Sequence, residues 1–248
     1  MVVLTIATPM TGCAHKAKAT SAPPPTVTTS ASTEVTPTGT PVSTPVRKRA
    51  TPATTSAATP PRFTAAISKV SRANVKYSWH QGCPVPISAL RLIKMTYWGM
   101  DKQPHPGQLM VNASVATDVV KVFKKLYEGR YPIRRMELID VYKGSDFDSI
   151  EADNTSAFNC RNAEGSSSWS QHAYGLAIDI NTCENPYVTA SGVVAHKNCV
   201  KFKDRSRRDP GVIHNGDQVV RAFAAIGWGW GGTWNGTRDY QHFSSNGR

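Results

Sequence analysis

Two short stretches of this chain carry residues that could do chemistry together. The first places Ser170, His172 and Asp179 close in sequence, and the second places Asp239 three positions before His242. Around Asp179, the residues Leu176, Ile178 and Ile180 alternate with Ala177, Asp179 and Asn181. That period of two reads as a strand with one apolar face. Asp179 then lies on the opposite face and is free to line a site. Two imidazoles (His172, His242) and one carboxylate (Asp179) make a three-ligand set for zinc, with a fourth position left for water. A second acid, Asp239, remains to act as general base.

The pattern Ser-x-His followed by Asp179, and then Asp-x-x-His, resembles the zinc peptidases of the VanY-type D-alanyl-D-alanine carboxypeptidase and L-alanyl-D-glutamate peptidase family. The resemblance extends upstream through Asp153-Asn154-Thr155-Ser156-Ala157-Phe158-Asn159-Cys160-Arg161. It continues through Trp169 to Gly175, Asn185-Pro186-Tyr187, and the Gly-Trp repeat from Gly227 to Trp234. It spans roughly residues 80–243. It implies one zinc ion per chain on His172, Asp179 and His242, and a metal-activated water deprotonated by Asp239. In much of the family that base is Glu; here it is the shorter Asp. The resemblance also implies that Arg161 holds substrate and the developing oxyanion, a task suited to a fixed cation. Ser170 matches the serine before the first ligand and either fixes a loop or touches substrate. The implied substrates are the peptide stems of peptidoglycan, cut as a D,D-carboxypeptidase or as an L-alanyl-D-glutamate endopeptidase. The alternative is a catalytically silent peptidoglycan-binding module on the same fold, whose mark would be a missing ligand or base.

The elements that must position these residues occupy the later part of the chain. Residues 14–61 are dominated by Thr, Pro, Ser and Ala. Such a stretch cannot bury enough apolar surface to offset its ordering entropy and is expected to be a disordered linker. Residues 1–13 are apolar and end in small residues before Cys13, like the tail of a bacterial lipoprotein signal, although no Lys or Arg precedes them. Cys13 is thus a candidate lipid anchor, and a start upstream of Met1 stays open. Residues 62–248 are long enough for one core and are expected to form the peptidase domain.

Within it, residues 63–76 read as an amphipathic lead-in broken at Gly82-Cys83-Pro84. Residues 92–98 read as a strand, residues 99–107 as a loop with two prolines, and 108–112 as the partner strand. Residues 116–128 read as a helix, with Val119, Val120, Phe123, Leu126 and Tyr127 at helical spacing, Asp118 near its start and Gly129 at its end. Residues 136–142 read as a strand and 146–168 as an irregular loop beside the site. A long excursion follows over 185–209, then a helix over 216–226. Trp228, Trp230 and Trp234 are expected in the core and cleft lining, while Asn154, Asn159 and Asn185 are expected to brace loops. Helices are too few for a doubly wound sheet, so the fold class is α+β, a small antiparallel sheet with flanking helices. The resemblance implies the same, the fold shared with the hedgehog signalling domain.

Of five cysteines, Cys83, Cys160, Cys183 and Cys199 fall in the folded part. An even set suggests two disulfides and an oxidising compartment. Four cysteines allow three pairings. Cys183 with Cys199 is favoured because it closes a loop rich in Gly, Ser, Asn and Pro, leaving Cys83 with Cys160. A cysteine zinc site is disfavoured because no Cys-x-x-Cys spacing exists.

The net charge of +12 admits nucleic acid or an anionic bacterial wall as partner. The basic runs carry no recognition motif and no interleaved stacking aromatics, so no nucleic-acid partner is expected. A monomer outside the cytoplasm, secreted or held at the outer face of the bacterial membrane, is the expected state.

Overall fold

Leu90–Trp98 buries apolar residues from both faces, Leu90, Leu92 and Trp98 on one and Ile93 and Met95 on the other, and the fold is layered around that strand. A computed structural model describes residues 61–248; the segment 1–13 and nearly all of 14–61 lie outside the described residues. In chain order the elements are β1 (Ala65–Lys69), β2 (Leu90–Trp98), β3 (Pro104–Asn112), α1 (Ala116–Glu128), α2 (Asp146–Glu151), β4 (Ala177–Asp179), β5 (Tyr187–Val188), α3 (Gln218–Ala224), β6 (Gly229–Trp230), β7 (Arg238–Asp239) and β8 (His242–Ser244). Strands β1-β2-β3 form one antiparallel sheet, β4-β8-β6 a second, and β5-β7 a two-stranded pair. The fold class is α+β, as expected.

Ile93 and Met95 on one face of β2 enter the main core with Val119, Phe123 and Leu126 of α1 and with Ile178, Phe223 and Phe243. Leu90 enters a second cluster with Val75, Met110 and Phe158. The apolar stripe of α1 therefore explains both why it is a helix and where it docks. Its bounds match the sequence expectation, with Gly129 as C-cap. The later helix is shorter than the expected 216–226. It starts at Gln218 because Asp217 caps it, accepting from the N–H groups of Val219 and Val220.

Three expectations are corrected. Residues 104–107 belong to β3 and not to a loop. β3 is an edge strand, and Gln108 N–H points away from β2 to Met136 O at 3.0 Å. Residues two apart face the same way, so Pro104 and Pro106 lack only N–H groups on that outer side, where proline is tolerated. Residues 136–142 are not a strand. Met136 makes a single bridge to Thr155, and the chain then turns into a 3-10 helix at Ile139–Tyr142. Asp140 holds the turn by accepting from Tyr77 N–H at 2.8 Å and from the hydroxyl of Ser78. Residues 146–168 are not irregular throughout: α2 opens them, and 153–160 are buried as an inner wall.

The excursion over 185–209 is pinned by polar groups. Asn185 accepts from Ile213 N–H at 2.8 Å and donates to Gly211 O at 2.9 Å. Arg205 donates to Asn185 Oδ1 at 3.0 Å and lies 4.2 Å over the Tyr240 ring. Asn154 donates to Glu137 O and accepts from Glu137 N–H, so both asparagines are loop braces.

Cys83 is bonded to Cys160 and Cys183 to Cys199, which fits an extracytoplasmic protein. Among the described residues no helix is long and apolar enough to cross a membrane. Closing a short loop such as Cys183–Cys199 stabilises by about 3 kcal/mol on chain-entropy grounds, and the longer Cys83–Cys160 loop by somewhat more. Thiol titration of denatured, unreduced protein should find these four sulfurs blocked. Cys183→Ser/Cys199→Ser should lower stability by about that amount in denaturant melts.

Candidate metal centre and cleft

Two local features aim His172. Ser170 caps a 3-10 turn, Gln171–Tyr174, accepting from His172 N–H at 3.3 Å. Gly175 ends that turn at φ 67°, and a Cβ there would meet Asn112 N of β3 at 2.6 Å. The turn can therefore press onto the end of β3 only with glycine at this position. His172 Nδ1 donates to Ala157 O at 2.6 Å, leaving Nε2 with its lone pair toward the site.

Asp179 and His242 meet because β4 and β8 pair antiparallel with these two residues directly opposite. Such a pair projects both side chains from one face. His242 Nε2 donates to the main-chain oxygen of Arg248 at 3.3 Å, leaving Nδ1 toward Asp179. The atoms converge: His242 Nδ1 is 3.1 Å from Asp179 Oδ1, and His172 Nε2 is 3.2 Å from Asp179 Oδ2 and 3.3 Å from His242 Nδ1. All three residues are buried.

Burial alone would raise the Asp179 carboxyl, but His172 and His242 outweigh it and hold the group well below the usual carboxylate range. Burial likewise opposes a charged His172, yet Asp179 overcomes it and raises that imidazole. The pocket thus attracts positive charge. Its donors are two imidazole nitrogens and one carboxylate, within 4.8 Å of one another. Each imidazole is fixed through its other nitrogen by a main-chain oxygen, the arrangement that orients metal-ligating histidines. This donor set fits a zinc ion.

Asp239 lies on β7, paired with Tyr187 of β5. Gly231 allows the backbone to approach, since a Cβ there would sit 2.5 Å from Asp239 O. Asp239 Oδ1 is sealed from solvent with no hydrogen-bond partner. Burial first, with the Asp179 carboxylate adding to it, pushes Asp239 up to about 7, against the opposing pull of His242 and Arg161.

The cleft in front of these groups holds about 560 Å³ and is bordered by Arg161, Ser170, His172, Asp179, Asp239 and His242 together. All six residues read from the sequence are brought to one place. Arg161 follows the bonded Cys160 and pairs with Asp146 of α2 at 2.9 Å. Sequence reading did not single out Asp146, Gln241 or Arg248, which also face the cleft, because no spacing motif marks them. Trp234 lines the cleft and Trp228 and Trp230 are in the core, as expected. The Ser170 hydroxyl caps the turn that carries His172, so Ser170→Ala should cost about 1 kcal/mol in thermal or denaturant melts, with folding retained.

A family model described as D-alanyl-D-alanine carboxypeptidase matches residues 164–245. No curated protein and no solved structure matches the chain. The matched span holds Ser170, His172, Asp179, Asp239 and His242, whereas Arg161 lies just before it. The match supports a peptidase, and across residues 164–245 it bears out the resemblance of the chain to the VanY-type D-alanyl-D-alanine carboxypeptidase family.

Proposed function

We propose that the chain is a zinc peptidase that hydrolyses a peptide bond in peptidoglycan stem peptides, with His172, Asp179 and His242 as metal ligands and Asp239 as general base. The observation that carries this reading is the convergence of three oriented ligand atoms beside a sealed, unpartnered carboxylate. Bound there, zinc supplies a Lewis acid and lowers the pKa of a water.

The remaining chemistry belongs to the chain. Asp239 takes the proton of the attacking water and passes it to the leaving amine. Burial leaves its Oδ1 free of competing protein partners. Arg161, in the same cleft, presents a cation to substrate or to the oxyanion. Asp146 holds that guanidinium in place. The disulfide Cys83–Cys160 fixes the residue just before it.

Purified protein should carry one zinc per chain by metal analysis. His172→Ala and His242→Ala should each lose it. Protons compete for the same nitrogen on His172, whose pKa is raised, so zinc affinity should fall as pH drops from 8 to 6 in chelator competition. Full zinc content in both variants would remove the ligand assignment.

Asp239→Asn should keep fold and zinc but lose turnover by roughly 100- to 10,000-fold, because an amide cannot take the proton. Asp239→Glu should retain part of the activity. Mass spectrometry of muropeptides, with and without chelator, reads the turnover and the bond cut. A wild-type rate in Asp239→Asn would refute the mechanism.

A further inference from the structure

Among the described residues, five buried side-chain atoms have no hydrogen-bond partner, and three of them belong to residues lining this one cleft: Arg161 Nε, Asp239 Oδ1 and Gln241 Oε1. The proposed mechanism uses the first two residues and leaves Gln241 without a task. Gln241 is 4% exposed. It lies between Asp239 and His242 in sequence, and its main-chain oxygen is held by Ile180 N–H at 3.1 Å. Its position is therefore fixed by the same β4–β8 region that sets the metal ligands.

A buried amide oxygen with no partner is costly, and nothing packed around Gln241 satisfies it. A glutamine serving only as packing would be matched by the surrounding main chain, as Asn154 and Asn185 are. Gln241 Oε1 is closed to solvent as it stands, and a turn of the side-chain amide about its last torsion would present it to an N–H donor in the cleft that the residue lines. A stem peptide offers such donors at every amide, whatever the chirality of its residues. We infer that Gln241 is a substrate-binding residue that accepts a hydrogen bond from a main-chain N–H of the peptide close to the bond that is cut. This rests on the peptidase reading above. It adds a contact to the backbone of the substrate, distinct from the cationic one at Arg161.

The test is made on zinc-loaded protein with Asp239→Asn, which holds peptide without consuming it. Calorimetry compares a stem peptide with a series in which one amide N–H at a time is replaced by an ester oxygen. With Gln241 present, one position of the series should lose roughly tenfold in affinity beyond the others. In Asp239→Asn/Gln241→Met that extra loss should vanish, while zinc content stays at one per chain. Equal ester losses in the two proteins overturn the proposal. If Gln241→Met fails to fold by circular dichroism, Gln241→Glu keeps both length and an acceptor, and it must retain the position-specific loss; its disappearance there overturns the proposal too. Product formation is scored separately by mass spectrometry, so failure of the base assignment appears as cleavage and failure of the Gln241 contact as equal ester penalties. Absence of any peptide binding to the zinc-loaded protein overturns both readings.

Discussion

The Asp179 carboxylate, buried between two imidazoles, is the constraint on which the rest of the site depends. An isolated buried carboxylate is costly, and here it is tolerable because His172 and His242 stand 3.2 and 3.1 Å away. That arrangement exists only in one register of β4 against β8, with Asp179 opposite His242. A slip of one residue would turn Asp179 into the core and bring Ile178 to the site. The alternation of Ile178 and Ile180 with Asp179 therefore protects the chemistry as well as the packing. Ile178 and Ile180 are both fully buried, so the apolar face resists the slip that would dismantle the charged one.

Strands this short cannot hold such a geometry by themselves. β4 and β8 have three residues each, and β7 has two. Rigidity comes from what is attached to them. Ala157 O fixes one imidazole and the main-chain oxygen of Arg248 the other. Gly175 and Gly231 let backbone segments approach to distances no side chain permits. Arg205 and Asn185 tie the 185–209 excursion to Tyr240 and to residues 211–213. Much of the site is thus positioned by polar braces and close backbone contacts, which suits a cleft whose walls are loops.

How much of this was legible follows from the range of each signal. His172, Asp179, Asp239 and His242 sit in two local motifs, and it was the resemblance of both motifs, in order, to a zinc-peptidase family that singled them out. Helix α1 was legible because thirteen residues of clean periodicity and a C-terminal glycine agree. The segment 136–142 misled because its β-prone residues satisfy a strand pattern, while the turn is imposed by Asp140 reaching Tyr77 and Ser78, some sixty residues distant. The prolines of 104–107 read as a loop because edge position is a property of the sheet and not of the segment. Asp146 and Gln241 gave no signal, since each gains meaning only from what stands opposite it in the cleft.

Asp179 and Asp239 show why the residue types alone could not assign the roles. Both are aspartates within one cleft, and their environments drive them apart. Asp179 is flanked by two imidazoles and stays ionised, which suits a group that holds a cation. Asp239 has an oxygen sealed without a partner and feels the Asp179 charge, so its proton is retained to a higher pH. A carboxyl in that state is suited to accept a proton and release it again near neutrality. Two like groups separated by environment in this way are the general mark of divided acid–base labour. On the proposed reading, the two aspartates divide the work by environment: Asp179, between two imidazoles, holds the cation, and Asp239, without a protein partner for Oδ1, moves the proton.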